Sequence, residues 1–259
     1  MGKFDGILIT TDWDGTLFFN GDISKENIDA INYFMANGGK FTVCSGRYYK
    51  FLEQYRNKIN PNTYFLCYNG ALIINPDTKE VLHEGFCDDY IFKIVDKLLC
   101  SELDFLNVNF YDDKNPEPIQ LTIEEFKKTR ESYEKRNLYK ILFRFPSVDM
   151  ALKAKKILSE FDMRGYIAVR SWEISLEILK EENAKGYAIR RLKKALGAKT
   201  VVAVGDFEND IEMLKAADIG YAVENATDDL KAVADRLTVH AKDSALAEII
   251  SELEAEMQG

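Results

Sequence analysis

What most constrains the fold of this 259-residue chain is the alternation of short apolar runs with amphipathic stretches. Ile7–Thr11 reads as a buried strand. Ser24, with Glu26 in the first turn, then opens a helix expected over 24–37, which Gly38-Gly39 stops. A strand over 40–44, a helix reaching 58 and a strand over 64–67 follow. Asn69-Gly70 predicts a hairpin whose second arm continues over 71–74. The texture resumes after 180. Asn183 is expected to cap a helix over 183–196 closed by Gly197. Strands over 200–204, 219–223 and 237–239 come next, with helices opening near 225 and 244. Apolar strands separated by helices build a parallel sheet with both faces covered.

Between 83 and 179 the pattern differs. Tyr and Phe are frequent, and helices expected over 88–100, 123–133 and 148–161 are interspersed with strands over 105–110, 138–145, 165–170 and 173–179. The fold class is therefore α/β. A Rossmann-like core formed by 1–82 and 180–259, a parallel sheet with covering helices, carries an inserted α+β domain over 83–179.

The length allows one large domain or two medium ones, and 46% hydrophobic with 30% charged residues suits a soluble protein with a full core. A net charge of -9 argues against a nucleic-acid partner, and acidic and basic residues nearly balance over 83–179. Cys44, Cys67, Cys87 and Cys100 lack zinc spacing, and His83 and His240 do not pair with them, so reduced, mostly core thiols and no zinc site are expected. No run approaches membrane-spanning length and no apolar signal core opens the chain, so neither membrane nor export is expected and the cytoplasm is the default location.

Polar clusters sit where strands end or helices begin: Asp12 and Asp14, Ser45-Gly46-Arg47, Lys185, and Asp206, Asn209 and Asp210. In open parallel sheets that edge binds ligands. Two carboxylates two residues apart on a buried strand end raise each other's pKa and ionise comfortably only beside a cation. Gly15 lets the backbone leave the strand sharply. Asp12, Asp14, Asp206 and Asp210 together exceed what one lysine neutralises, which implies a hard divalent ion, Mg2+ being the natural candidate. Simpler readings compete at each position. Asp12 and Asp14 could form a surface turn, Asp206 and Asp210 could decorate a helix N-terminus, Lys185 could be a solvated helix residue, and Ser45 could be only an N-cap. A calcium loop is discarded, because Leu17 and Ile23 stand where it needs Gly and Glu.

In order, the motifs Asp12-Trp13-Asp14-Gly15-Thr16-Leu17, Thr42-Val43-Cys44-Ser45-Gly46-Arg47, Asn183-Ala184-Lys185-Gly186 and Val204-Gly205-Asp206-Phe207-Glu208-Asn209-Asp210 resemble those of haloacid dehalogenase superfamily phosphatases. The chain is most similar to their Cof-type sugar-phosphate group, to which Tyr68-Asn69-Gly70-Ala71 and Val223-Glu224-Asn225-Ala226 add lesser likenesses. Trp13, where a smaller residue is usual, and a missing Gly in Asp243-Ser244-Ala245-Leu246 depart from the pattern. Trp13 is expected to shape the pocket floor.

The resemblance implies a Mg2+-dependent hydrolysis of small phosphomonoesters, sugar phosphates foremost, through an aspartyl phosphate. Asp12 would be the nucleophile and Asp14 the general acid and base. Ser45, with the backbone of Gly46 and Arg47, would bind the phosphoryl group, and Lys185 would pair with it and with Asp12. The metal would take the Asp12 carboxylate, the Asp14 carbonyl and Asp206, with Asn209 and Asp210 acting behind them or through water. Arg47, Asn69 and Asn209 are candidate substrate contacts. The insert resembles the family's cap, which covers the pocket and sets substrate preference. A phosphomutase and a non-catalytic phosphometabolite sensor are the alternatives. No partner beyond the small molecule is implied, and a monomer or small homo-oligomer is expected.

Overall fold

The computed structural model describes residues 2–257. In chain order its elements are β1 (Ile7–Thr11), α1 (Lys25–Ala36), β2 (Lys40–Val43), α2 (Tyr49–Glu53), β3 (Phe65–Cys67), β4 (Leu72–Ile74) and β5 (Val81–Glu84). Then come α3 (Tyr90–Leu99), β6 (Asn107–Asp112), β7 (Ile119–Leu121), α4 (Ile123–Tyr133), β8 (Leu138–Arg144), α5 (Val148–Ser159), β9 (Tyr166–Val169) and β10 (Ser175–Lys180). The chain closes with α6 (Lys185–Leu196), β11 (Thr200–Gly205), α7 (Ile211–Ala216), β12 (Ile219–Ala222), α8 (Asp228–Lys231), β13 (Arg236–Leu237) and α9 (Ala245–Glu256).

The core sheet has the order β13-β12-β11-β1-β2, parallel throughout. All five residues of β1 are buried, as a strand covered on both faces requires. β1 lies between β11 and β2, and the strand order reverses beside it, so the loops leaving β1, β11 and β2 share one edge, a switch point of the kind that opens a crevice. A second sheet, β7-β6-β8-β10-β9, is antiparallel where paired and packs α3, α4 and α5 against a separate apolar cluster that includes Ile94, Phe110, Phe143 and Leu176. This is the cap. β3, β4 and β5 form a small antiparallel sheet beside the core, joined to β2 by a single parallel bridge from Cys44 to Leu66.

The hairpin expected at Asn69-Gly70 is present between β3 and β4, with Asn69 in the left-handed region at φ 64°. Three local expectations differ. The helix expected to reach 58 is α2 alone, five residues long, and its N-cap is Tyr48 instead of Ser45. Ser45 Oγ instead accepts the Arg47 amide at 3.1 Å and shapes the turn before it. The N-cap of α6 is Ala184, because the Asn183 side chain turns away: its Nδ2 donates to the Gly85 carbonyl at 3.0 Å and its Oδ1 meets His83 Nε2 at 2.9 Å. The two crossings between core and cap, near 85 and 183, are thus tied to each other. Ser244, where a glycine was missing, sits at φ 65°, and its Oγ contacts Ser24 Oγ at 2.8 Å.

Candidate active site

The edge where β1, β2 and β11 end brings together the sequence-predicted residues. Asp12 and Asp14 leave β1, and both line a cleft of about 410 Å3 between core and cap that Ser45, Gly46, Arg47 and Asn209 also line. Trp13 points the other way. It is buried and packs on Phe18 at 5.3 Å and Tyr55 at 5.0 Å, so it supports the loop from beneath and does not form the pocket floor. The turn that begins at Trp13 directs its side chain away from the cleft that its two acidic neighbours line.

Asp12 is 6% exposed, which excludes the surface-turn reading. Its Oδ1 accepts from Lys185 Nζ at 2.5 Å. Lys185 is fully buried at the first turn of α6, so it is no solvated helix residue, and it also donates to Asp210 Oδ1 at 2.6 Å. Burial and the adjacent carboxylates push the Asp12 carboxyl well above its usual range, against the pull of Lys185. The Lys185 amine is pushed up as well: burial alone would lower it, but the Asp12 and Asp210 charges outweigh burial and hold it firmly protonated.

Asp206 directly follows β11. Its Oδ1 accepts from Thr16 Oγ1 at 2.9 Å, a contact from the end of the first motif that the sequence reading missed. Burial, then the neighbouring Asp210 charge, push its carboxyl up to about 7. Asp210 Oδ2 accepts the amides of Asp206 at 3.1 Å and Phe207 at 3.3 Å, so Asp210 folds the loop back on itself and presents Asp206 outward. Gly15, at φ +80°, passes so close that a Cβ there would lie 2.4 Å from Asp206 Oδ2. Only glycine serves both the backbone turn and that approach.

Carboxylate oxygens of Asp12, Asp206 and Asp210 lie within 4.8 Å of one another. This is an all-oxygen donor set in excess of its one lysine, and it fits a hard divalent cation that keeps some waters. Arg47 forks onto Asp14, Nε to Oδ2 and Nη2 to Oδ1, both at 2.7 Å, and stacks over Phe51 at 4.4 Å. A planar bidentate pair of this kind is among the stronger charge-assisted contacts. Asn209 Nδ2 reaches Asn69 Oδ1 at 3.4 Å, placing the two candidate contacts side by side.

The cap supplies residues that no motif announced. Lys140 on β8 and Glu177 on β10 form an ion pair at 2.9 Å, their side chains only 1% and 2% exposed. Lys140 Nζ also donates to the Gly46 carbonyl at 2.8 Å, and Glu177 accepts from Ser171 Oγ at 2.7 Å and from Asn69 Nδ2. Burial alone would raise the Glu177 carboxyl, but Lys140 and these hydrogen bonds hold it below its ordinary value. The pair plugs the cap into the turn after β2, and a Cβ on Gly46 would lie 3.2 Å from Lys140 Nζ. A second link joins the cap to the loop after β11. Arg170 gives Glu208 its amide and its Nε, each at 3.0 Å, and Lys155 adds Nζ at 2.7 Å.

An α/β core with a lid inserted over an acidic, lysine-braced edge defines an enzyme frame. The haloacid dehalogenase-like hydrolase family model matches residues 9–250, and the chain belongs to that family. Phosphoglycolate phosphatase 2 of Saccharolobus solfataricus is 29% identical, covering 95% of this chain and 92% of its own. Phosphatase YwpJ of Bacillus subtilis is 27% identical over 95% of this chain and 99% of its own. Among solved structures, the HAD subclass IIB sugar phosphatase BT4131 superposes with a TM-score of 0.74 at 19% identity, covering 95% of this chain and 98% of that one. Among the described residues, no helix is long and apolar enough to cross a membrane.

Proposed function

We propose that the protein is a Mg2+-dependent phosphatase that hydrolyses small phosphomonoesters, sugar phosphates among them, through a phosphoryl group carried on Asp12. The observation that carries the reading is the buried Asp12 carboxylate held at 2.5 Å by Lys185 within a cluster of further carboxylates. The relatives are phosphatases by name, which supports the same class. The protein acts in the cytoplasm as a monomer or small homo-oligomer, with residues 83–179 as its cap.

Asp12 supplies the nucleophilic oxygen. It forms a bond to phosphorus as the ester oxygen departs, and Asp14 gives that oxygen its proton. Asp14 then takes a proton from water, whose oxygen attacks the phosphorus of the aspartyl phosphate and frees Asp12 and inorganic phosphate. Lys185 keeps the Asp12 oxygens in place and offers positive charge to the phosphoryl oxygens. Ser45 and the amides that follow it in the turn donate to those oxygens. Asp12, the Asp14 carbonyl and Asp206 would hold Mg2+, while Asp210 and Asn209 position the loop. When bound, the ion supplies charge neutralisation at the transferring group. Arg47 steers Asp14, and the cap excludes water while the phosphoryl group moves.

The test is inorganic phosphate release from a panel of phosphomonoesters with Mg2+ and with chelator. Release that depends on Mg2+ is expected. A folded sample that releases none, or that returns an isomerised sugar phosphate, contradicts the reading.

A further inference from the structure

Three strands of the cap sheet form the roof of the cleft, and their register places the side chains in rows. Ile141 and Phe143 on β8, and Phe145 just beyond it, are buried in the cap's own cluster, so Lys140, Leu142 and Arg144 take the opposite face. Across that face Asn107, Arg144 and Ser175 are direct neighbours on β6, β8 and β10; Asn109, Leu142 and Glu177 form the next row, and Tyr111 pairs with Lys140. Tyr111, Leu142, Arg144, Ser175 and Glu177 all line the cleft.

The cations around the cleft separate into two kinds. Arg47 is committed to Asp14, Lys140 to Glu177, Lys185 to Asp12 and Asp210, and Arg170 to Glu208. Arg144 alone among the cleft-lining cations has no carboxylate within salt-bridge distance among the described residues, and it is exposed. Beside it, at the turn between β9 and β10, Trp172 stands 62% exposed and, with Ile174, forms an apolar wall of the same cleft. A guanidinium fork against an apolar wall is a receptor for a planar or tetrahedral oxyanion.

We propose that Arg144, with Ser175 and the Trp172 wall, is a distal subsite for a second anionic group. The preferred substrates are then phosphomonoesters whose alcohol part also carries a carboxylate or a second phosphate. The inference rests on the phosphatase reading above and narrows it. Arg47, the other cation of this wall, is taken up by Asp14, so an anion at the cap end has one uncommitted cation to meet, whereas a neutral polyol leaves Arg144 to water. The cleft, at about 410 Å3, accommodates a small ester that reaches from Asp12 to the roof.

The test compares matched esters of two lengths, 3-phosphoglycerate with glycerol 3-phosphate and 6-phosphogluconate with glucitol 6-phosphate, in wild type, Arg144→Gln and Arg144→Lys. The acid of at least one pair should be favoured in kcat/KM by about tenfold, the worth of one charge-assisted hydrogen-bonded contact. Arg144→Gln should bring that acid-to-neutral ratio to about one, chiefly through KM, and Arg144→Lys should restore part of it. In parallel, calorimetry measures the affinity of the same four esters for Asp12→Asn with Mg2+, alone and combined with Arg144→Gln. Phosphate release with equal ratios in both pairs, or a preference that survives Arg144→Gln, overturns the subsite and leaves the phosphatase reading intact. No release from any ester, with acids still bound more tightly through Arg144, overturns the phosphatase reading and keeps the subsite. No release and no discrimination in binding overturns both.

Discussion

The edge of the core sheet and the roof made by the cap sheet both present charged side chains to one cleft, yet they are built by opposite rules. In the core, parallel strands deliver their charges at strand ends, packed into short loops: Asp12 and Asp14 after β1, Ser45 to Arg47 after β2, Asp206 to Asp210 after β11. In the cap, antiparallel strands deliver one or two charges each from one face of the sheet, and only register brings Lys140 beside Glu177 and Arg144 beside Ser175. The core edge assembles a cluster of acids that needs cations. The roof is braced by a neutral ion pair and keeps a cation in reserve.

The largest effect should come from the core. Asp12→Asn should remove about 4 kcal/mol or more of barrier lowering, seen as loss of phosphate release with an unchanged circular dichroism spectrum. Deleting a buried lysine on each side sharpens the comparison. Lys185→Met leaves two buried carboxylates facing each other and should cost about 3–5 kcal/mol of stability as well as activity. Lys140→Met leaves Glu177 its partners Ser171 and Asn69 and should cost less, about 2–3 kcal/mol. Denaturant titration of both variants measures the difference; a larger loss in the cap would break the contrast.

A pH series comes next. The Asp206 carboxyl is raised to about 7 in the folded protein, so the native state holds a proton that the unfolded chain has already lost between about pH 4 and 7. Stability from this group is complete below that window and falls as pH rises through it. Metal-free protein should therefore melt at lower temperature near pH 8 than near pH 5, and Mg2+ should raise the melting temperature more at pH 8. The smallest effect is expected at the cap–core link, where Glu208→Gln should cost about 1 kcal/mol or less and make turnover less sensitive to salt.

Legibility in the sequence followed the same division. Asp12, Asp14, Lys185 and Asp206 were readable because each sits within a few residues of a strand end or helix start, where buried charge is conspicuous. Thr16 escaped notice because a threonine after a glycine turn has no charge to explain, although its hydroxyl fixes Asp206. Lys140, Arg144 and Glu177 look like the polar half of an ordinary alternating strand, and nothing local distinguishes a solvated face from a roof. The misplaced N-cap at Asn183 has a similar cause: its side chain serves a tertiary contact to His83 and Gly85, which overrides local capping preference. The helix that stops at Glu53 was over-extended because its aromatic residues pack on Trp13 through a turn instead of a continued helix.

The central claim is that Asp12 carries the phosphoryl group, and rapid quench in acid followed by peptide mass spectrometry tests it most directly. With a turnover substrate and Mg2+, one phosphoryl group should be found on the peptide bearing Asp12, absent from the Asp12→Asn protein. Full turnover with no phosphorylated peptide at any quench time, or turnover that persists in Asp12→Asn, would contradict it.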